Sequence, residues 1–428
     1  MSVASQNLMD NVTYVDLYQR WEHGNWSAYD IDFSEDRKGW EALSDLQRRS
    51  AMWIYSMFYY GEDRVADTLA PYITAAPTEE QSYFLATQQV DEVRHSIFFH
   101  RFFKEVIGVG GDSIQQTLSS TMPQLNWGYR GVFDRLDLMA EELRKDRSLP
   151  KYAQAITLYH LIVEGSLAQP GQHFIEDFFA SKETMPGFSE GMGNVSKDEQ
   201  RHIGFGVKVL SELLGEGNPG WEENRAAVTE LLRETLPYGP AVFYPPNFDR
   251  SYTECYGFSL EDIFAFGLKL IRQRWRTIGY PTEEMPPGVF PFDPDAPPEE
   301  VAARQVKLME AGVLGPPDGP TPDASLETQR LYFDVVERAA NPAAANGSPL
   351  VYQYRFDDAD PWHLTIDNGS TRAEPGEAPN PTLVLEASWA DFIATSKPEA
   401  NPLKMVLQRR IRPRGKLREI ARMRKVFG

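Results

Sequence analysis

Two Glu-x-x-His steps constrain this chain more than any other feature. Glu92-Val93-Arg94-His95 and Glu199-Gln200-Arg201-His202 stand 107 residues apart, and each follows a glutamate on an earlier helical segment: Glu62 lies 30 residues before the first step, Glu164 35 before the second. Side chains at i and i+3 leave one face of an α-helix, so each step offers a carboxylate and an imidazole to the same point. One such step arises by chance in a chain with seven histidines and many glutamates. Two steps, each preceded by a glutamate, repeat a unit of helix-with-Glu followed by helix-with-Glu-x-x-His. Four carboxylates and two imidazoles on four helices form the ligand set of a dinuclear metal site in a bundle core.

The neighbouring residues place these acids in apolar company. Ala51 to Tyr60 is apolar nearly all round, and Leu161-Ile162-Val163 lead directly into Glu164. An ionised carboxylate there is costly unless a cation or proton compensates it. Carboxylates with imidazoles suit iron and manganese, and the absence of thiolate ligands argues against structural zinc. Buried acids paired with Arg64, Arg94 and Arg201 would account for single pairs, but not for the doubled pattern.

A length of 428 residues predicts two or three domains. From Trp40 to Leu236 the periodicity is helical, with Pro71, Pro77, Pro123, Pro150 and Pro186 near segment ends, and Phe258 to Ile278 adds an amphipathic helix. Between Pro281 and Pro322 the chain is rich in Pro and Gly and is expected to be a linker, apart from a short helix near Glu299–Ala311. After a helix at Leu326–Ala340, alternation takes over at Leu350–Phe356, Trp362–Asp367 and Pro381–Ala387, with a hairpin turn at Asp367-Asn368-Gly369 leading to a short strand at Thr371–Ala373. A helix at Ser388–Thr395 and a last segment from Lys404 complete a small α+β unit. The expected domains are thus 1–280, a linker 281–323, and 324–428.

A single cysteine, Cys255, excludes an intramolecular disulfide and suggests a cytoplasmic setting; neither a leader peptide nor a membrane-spanning run is expected. Net charge is −19, which disfavours nucleic acid as a partner. Residues 404–428 are the exception, with ten Lys/Arg against Glu419 alone. They either dock on the acidic remainder or meet anionic lipid headgroups at a membrane surface.

Residues 1–280 resemble the ribonucleotide-reductase-small-subunit-like ligand-binding oxidases, within the ferritin-like di-metal carboxylate superfamily. The resemblance rests on Asp30 to Arg37 (Asp-Ile-Asp-Phe-Ser-Glu-Asp-Arg), Trp40 to Ser44, Gly61-Glu62, Asp91 to His95, Tyr159 with Ile162 to Gly165, and Asp198 to His202. It implies a mainly α fold: a ferritin-like four-helix-core bundle with extra helices. It implies that Glu62, Glu92, His95, Glu164, Glu199 and His202 hold a Mn/Fe or Fe/Fe centre that activates dioxygen, with a long-chain fatty acid or related lipid as ligand. It further implies that Asp198 accepts a hydrogen bond from His95, and that Tyr159 and Val65 occupy the places of a tyrosine–valine ether cross-link. Phe99 stands where radical-generating small subunits usually carry tyrosine. Residues 324–428 resemble a sterol-carrier-protein-like lipid-binding domain through Pro361 to Asp367, Pro381 to Glu386, Trp389 to Phe392 and the closing segment, with Arg412 to Lys416 in place of the usual Gly-rich ending.

The expected activity is therefore a dinuclear metal oxidase that carries out hydroxylation, desaturation or another two-electron oxidation of an apolar lipid. The chain would act as a homodimer, with an external electron donor and a C-terminal domain that delivers or receives the lipid. A di-iron N-oxygenase or hydroxylase of a small biosynthetic intermediate is the alternative. Phe99 disfavours a radical-storing subunit, the chain's length disfavours an iron-storage shell, and the full ligand set disfavours a lipid carrier with a relic bundle.

Overall fold

The computed structural model describes residues 12–182, 184–345, 348–367 and 369–427. They form two compact units, one of Met1–Leu231 with Val242–Pro281 and one of Leu232–Ala241 with Thr282–Gly428.

The first unit is helical. Its main elements are α1 (Tyr14–Gly24), α2 (Asp45–Ala75), α3 (Glu79–Phe102), α4 (Trp127–Lys145), α5 (Leu149–Ile156), a π-helical stretch Thr157–Ala168 running into α6 (Gln169–Lys182), α7 (Pro186–Leu214) and α8 (Leu260–Ile278). Local chemistry sets several ends. Thr13, Ser44 and Ser259 each cap the residue three positions on, and Asp16, Gln47 and Asp262 return a hydrogen bond to the cap amide. Gly279 closes α8 in the left-handed region at φ 83°, which costs glycine little. Pro71 lies inside α2, four residues from its last residue.

The start of α7 is capped from a distance. Asp36 is fully buried and accepts the Gly187 and Phe188 amides at 2.9 and 2.6 Å, so a carboxylate sits on the positive end of the helix that carries Glu199 and His202. Burial nonetheless raises its pKa from the ordinary value. Helices α2 and α3 pack side by side. Around them Tyr55, Tyr59, Phe98, Phe99, Phe102, Phe103 and Phe188 form an aromatic core that is almost wholly shielded from water. Phe99 stacks on Phe58 at 6.1 Å between centroids. Among the described residues, no helix is long and apolar enough to cross a membrane.

The second unit is α+β. Strands β1 (Leu350–Phe356), β2 (Trp362–Asp367), β3 (Ser370–Pro375), β4 (Leu383–Ala387) and β5 (Ile411–Gly415) form one sheet in the order β3-β2-β1-β4-β5. The β1–β4 pair is parallel and the others antiparallel. The β2–β3 hairpin pairs Asp367 with Ser370; Asn368 of the expected turn lies outside the described residues. Strand β5 has no counterpart in the sequence reading. Its Pro413 argues against a central strand, and the structure places it at the sheet edge, where a missing amide is tolerated. The Pro/Gly-rich stretch contains α9 (Pro298–Glu310), whose Val301, Ala302, Val306, Leu308 and Met309 are buried, Leu308 joining the core of this unit. Helix α10 (Leu326–Ala339) covers the sheet, with Phe333 stacked on Trp362 at 4.5 Å and Gln329 accepting the Trp362 indole N–H at 2.6 Å. A last helix, α11 (Leu417–Phe427), follows β5.

Candidate metal centre

Four helical segments deliver the six residues to one place: Glu62 from α2, Glu92 and His95 from α3, Glu164 from the π-helical stretch, and Glu199 and His202 from α7. All six are buried. They form two overlapping quartets, Glu62/Glu92/His95/Glu199 and Glu92/Glu164/Glu199/His202, whose ligand atoms lie within 4.8 Å of one another. Glu92 and Glu199 belong to both. Each quartet thus offers one imidazole, one carboxylate of its own and two shared carboxylates, a donor set suited to a pair of iron or manganese ions.

The electrostatics call for cations. Burial, reinforced by the neighbouring carboxylates, holds Glu164 and Glu199 well above the ordinary glutamate pKa, and burial brings Glu62 to about 7 although His95 opposes it. Glu92, against its burial, is drawn down to about 2 by the adjoining His95 and His202. His95 is pushed well above the ordinary histidine value, because Glu62 and Asp198 outweigh the cost of burying its charge. Three polar atoms of the cluster, Glu92 Oε2, Glu164 Oε2 and His202 Nδ1, are buried and have no hydrogen-bond partner among the described residues. Orphaned acceptors of this kind are costly in a finished core and fit residues that would close on metal ions.

The imidazoles are held in a crossed pattern. His95 turns Nδ1 toward Glu62 at 3.1 Å and Nε2 toward Asp198 at 3.2 Å. His202 turns Nε2 toward Asp91 at 3.1 Å. Each aspartate precedes the glutamate of one helix and grips the histidine of the other. Two half-buried arginines complete a square with the buried aspartates, Arg94 at 3.0 Å from Asp91 and Arg201 at 2.9 Å from Asp198 and 2.5 Å from Asp91. Two indoles from the N-terminal segment cap it: Trp21 donates to Asp91 and Trp26 to Asp198, both at 2.8 Å. Such partners fix the tautomer and ring orientation of a ligating histidine. Asp198 is at hydrogen-bond distance from His95, and Asp91 is its unforeseen counterpart. The signal for Asp91 was present as the repeated Asp-Glu-x-Arg-His, in which Asp91 precedes Glu92 as Asp198 precedes Glu199.

The π-helix explains how Tyr159 joins the site. On an α-helix, residues five apart point about 140° away from each other. In a π-helix, bonded i to i+5, they fall near one face. Tyr159 and Glu164 are five apart, and Tyr159 donates its hydroxyl to Glu92 Oε1 at 3.0 Å. Gln88, also unforeseen, donates to Glu164 at 2.7 Å and Glu92 at 3.2 Å, and is itself oriented by His160 at 3.0 Å. Burial lowers the His160 pKa to about 3, so the ring is neutral at pH 7.

An apolar cavity borders the carboxylates. Its wall is formed largely by apolar and aromatic side chains, as in small-molecule sites. Glu62, Glu92, Glu164 and Glu199 line it together with Trp53, Phe58, Val65, Leu167, Gly171 and Phe243. Val65 therefore borders the cavity that Glu92 also borders.

Residues 6–237 match the family described as ribonucleotide reductase, small chain. Solved structures of R2-like ligand-binding oxidases share the fold. A glycine-to-phenylalanine variant with anaerobically reconstituted Mn/Fe cofactor is 24% identical, over 63% of this chain and 95% of that one, with a TM-score of 0.53. A valine-to-alanine variant, also anaerobically reconstituted with Mn/Fe, is 24% identical over 63% and 94%, with a TM-score of 0.54. A tyrosine-to-phenylalanine variant with aerobically reconstituted Mn/Fe cofactor is 23% identical over 62% and 93%, with a TM-score of 0.53.

Proposed function

The chain belongs to the ribonucleotide reductase small-chain family, and from that premise we propose that it is a dinuclear metal oxidase acting on a long-chain fatty acid or related apolar lipid. Glu62, Glu92, His95, Glu164, Glu199 and His202 would hold a Mn/Fe or Fe/Fe pair, the former being the cofactor named for the oxidases of similar fold. When bound, that pair supplies activation of dioxygen for a two-electron oxidation. The observation that carries the reading is the pair of overlapping buried quartets sharing Glu92 and Glu199.

The chain's own residues have separate tasks. Asp91 and Asp198 hold the two imidazoles by Nε2, which leaves each Nδ1 on the carboxylate side. Gln88 and Tyr159 steady Glu92 from one direction. The apolar cavity wall excludes water and aligns an alkyl chain with the carboxylate cluster, each buried methylene contributing roughly 0.8 kcal/mol. Such a wall favours a lipid over the small amine of an N-oxygenase. Tyr159 and Val65 are the candidates for an ether cross-link, in which a tyrosine O–H and a valine C–H give up two protons and two electrons to dioxygen and a C–O bond forms. An external electron donor, a homodimeric assembly and a cytoplasmic setting complete the proposal. The second unit would be a lipid-delivery module, a role consistent with its α+β sheet.

Metal analysis decides the central claim. Protein produced with iron and manganese both supplied is expected to hold two transition metals per chain, and Glu92→Ala, which removes a shared carboxylate, to lose metal at both positions. A content near zero, or zinc alone after such loading, would sink the reading. The delivery role is tested by oxygen-consumption rates across lipid chain lengths with and without residues 282–428; equal rates at every length would remove it.

A further inference from the structure

The basic C-terminal segment divides into two groups of cations. Arg410 pairs with Asp391, Arg412 with Asp357, Arg414 with Glu386, and Arg418 and Arg422 with Glu419, all within the second unit. Lys404, Arg409, Lys416, Arg424 and Lys425 are exposed and have no ion-pair partner among the described residues. Half of the basic residues are thus paired within the fold, with four acids, and half are displayed, on a chain whose net charge is −19.

Beside that charge stands an apolar pair. A short helix, Pro402–Leu407, buries Met405 against Ile411 and its neighbours. Leu403 and Leu407, four apart and so on one face, lie on the side away from Met405. They are 71% and 78% exposed, and Leu407 is the most exposed large apolar side chain among the described residues. Lys404 lies between them in sequence and Arg409 follows two residues on, in the left-handed region at φ 59°. Scattered single leucines on a surface need no explanation. Two on one face, flanked by unpaired cations, match a surface that is apolar below and anionic above.

We propose that Leu403 and Leu407, with Lys404 and Arg409, form a docking face for an anionic lipid bilayer: the leucines enter the headgroup boundary and the cations meet the lipid phosphates and carboxylates. A protein partner fits less well, because the displayed cations are not matched to one geometry and the apolar area is only two side chains.

Co-sedimentation of the full-length protein with phosphatidylcholine vesicles, with and without phosphatidylserine, tests this. Binding is expected to the serine-containing vesicles only and to weaken with salt. Each Lys or Arg near such a surface contributes about five-fold in partitioning. Lys404→Gln with Arg409→Gln should therefore weaken binding roughly 25-fold. Leu403→Gln with Leu407→Gln should weaken it at least about ten-fold, since two apolar side chains no longer leave water. Circular dichroism of each variant confirms that the fold is kept. Equal binding to neutral vesicles, or none to either, overturns the proposal. So does an unchanged affinity of the leucine variant, including the case in which that variant instead turns a dimer into a monomer, which would make the face a contact between copies of the chain.

Discussion

Replacing Asp91 by alanine removes the acceptor on which four donors converge, His202 buried and Trp21, Arg94 and Arg201 half-buried. The side chain is wholly shielded from water, and it receives Trp21 Nε1 at 2.8 Å, Arg94 Nη1 at 3.0 Å and Arg201 Nη2 at 2.5 Å, with His202 Nε2 at 3.1 Å. Arg201 keeps Asp198, so the arginine is not left bare, but Asp198 would then serve both arginines as well as His95. Removing one partner of a buried charge pair costs about 3–5 kcal/mol. Asp91→Asn preserves shape and one acceptor but sets an amide N–H against donors, for a loss of about 1.5–3 kcal/mol. Orientation of His202 is the functional part: loss of such a partner typically lowers metal affinity about 10- to 100-fold. Urea denaturation of the metal-free protein reads the first effect and calorimetric titration with Mn(II) the second. An alanine variant that is destabilised but binds Mn(II) as tightly as the parent would show that Asp91 only braces the helices. A destabilisation below about 1 kcal/mol would refute the Asp–Arg square itself.

Three further outcomes follow from the geometry. Glu62, Glu164 and Glu199 have raised pKa values in the metal-free fold, Glu62 from 4.5 to about 7, so the folded chain keeps protons that the unfolded chain releases; stability should fall as pH rises from about 4.5 to 7, and metal, by replacing those protons, should flatten the slope. Glu92, drawn down to about 2, acts oppositely and its contribution is lost below pH 4.5, so urea midpoints of the metal-free protein that rise between pH 5 and 7 would contradict the charge assignment. Aerobic metal loading should join Tyr159 to Val65 with loss of two hydrogens, read by peptide mass spectrometry against an anaerobic sample; only unlinked peptides from a fully metallated, oxygen-exposed sample would remove the cross-link. A Cβ at Gly171 would stand 3.1 Å from Phe58 Cζ, and both residues line the cavity, so Gly171→Val should leave metal content unchanged and weaken binding of long-chain acids more than short ones. Equal losses for all chain lengths would mean that the alkyl chain does not pass this point.

Much of the centre was legible because its spacing is local. Glu92 with His95 and Glu199 with His202 follow from the helical period alone, and apolar neighbours around Glu62 and Glu164 announce burial. The repeat of helix-with-Glu and helix-with-Glu-x-x-His requires four helices to meet, so the bundle could be read before any coordinates. In the second unit, alternation marked β1, β2 and β4 for the same reason: a period of two is written in the chain.

What the sequence could not decide is who meets whom. The grip of Asp91 on His202 and of Asp198 on His95 joins residues 111 and 103 positions apart, and depends on how α3 and α7 dock. The same holds for Asp36, which caps α7 from 151 residues away. The π-helical stretch escaped because its residues are as compatible with an α-helix; a change from i+4 to i+5 bonding is set by packing, and only that change turns Tyr159 toward Glu92. Strand β5 escaped because Pro413 reads as a breaker until the sheet puts it at an edge. Local periodicity thus determined the elements and the ligands they carry. Tertiary docking decided the hydrogen bonds that orient those ligands, since a long-range polar contact leaves no period in the chain that bears it.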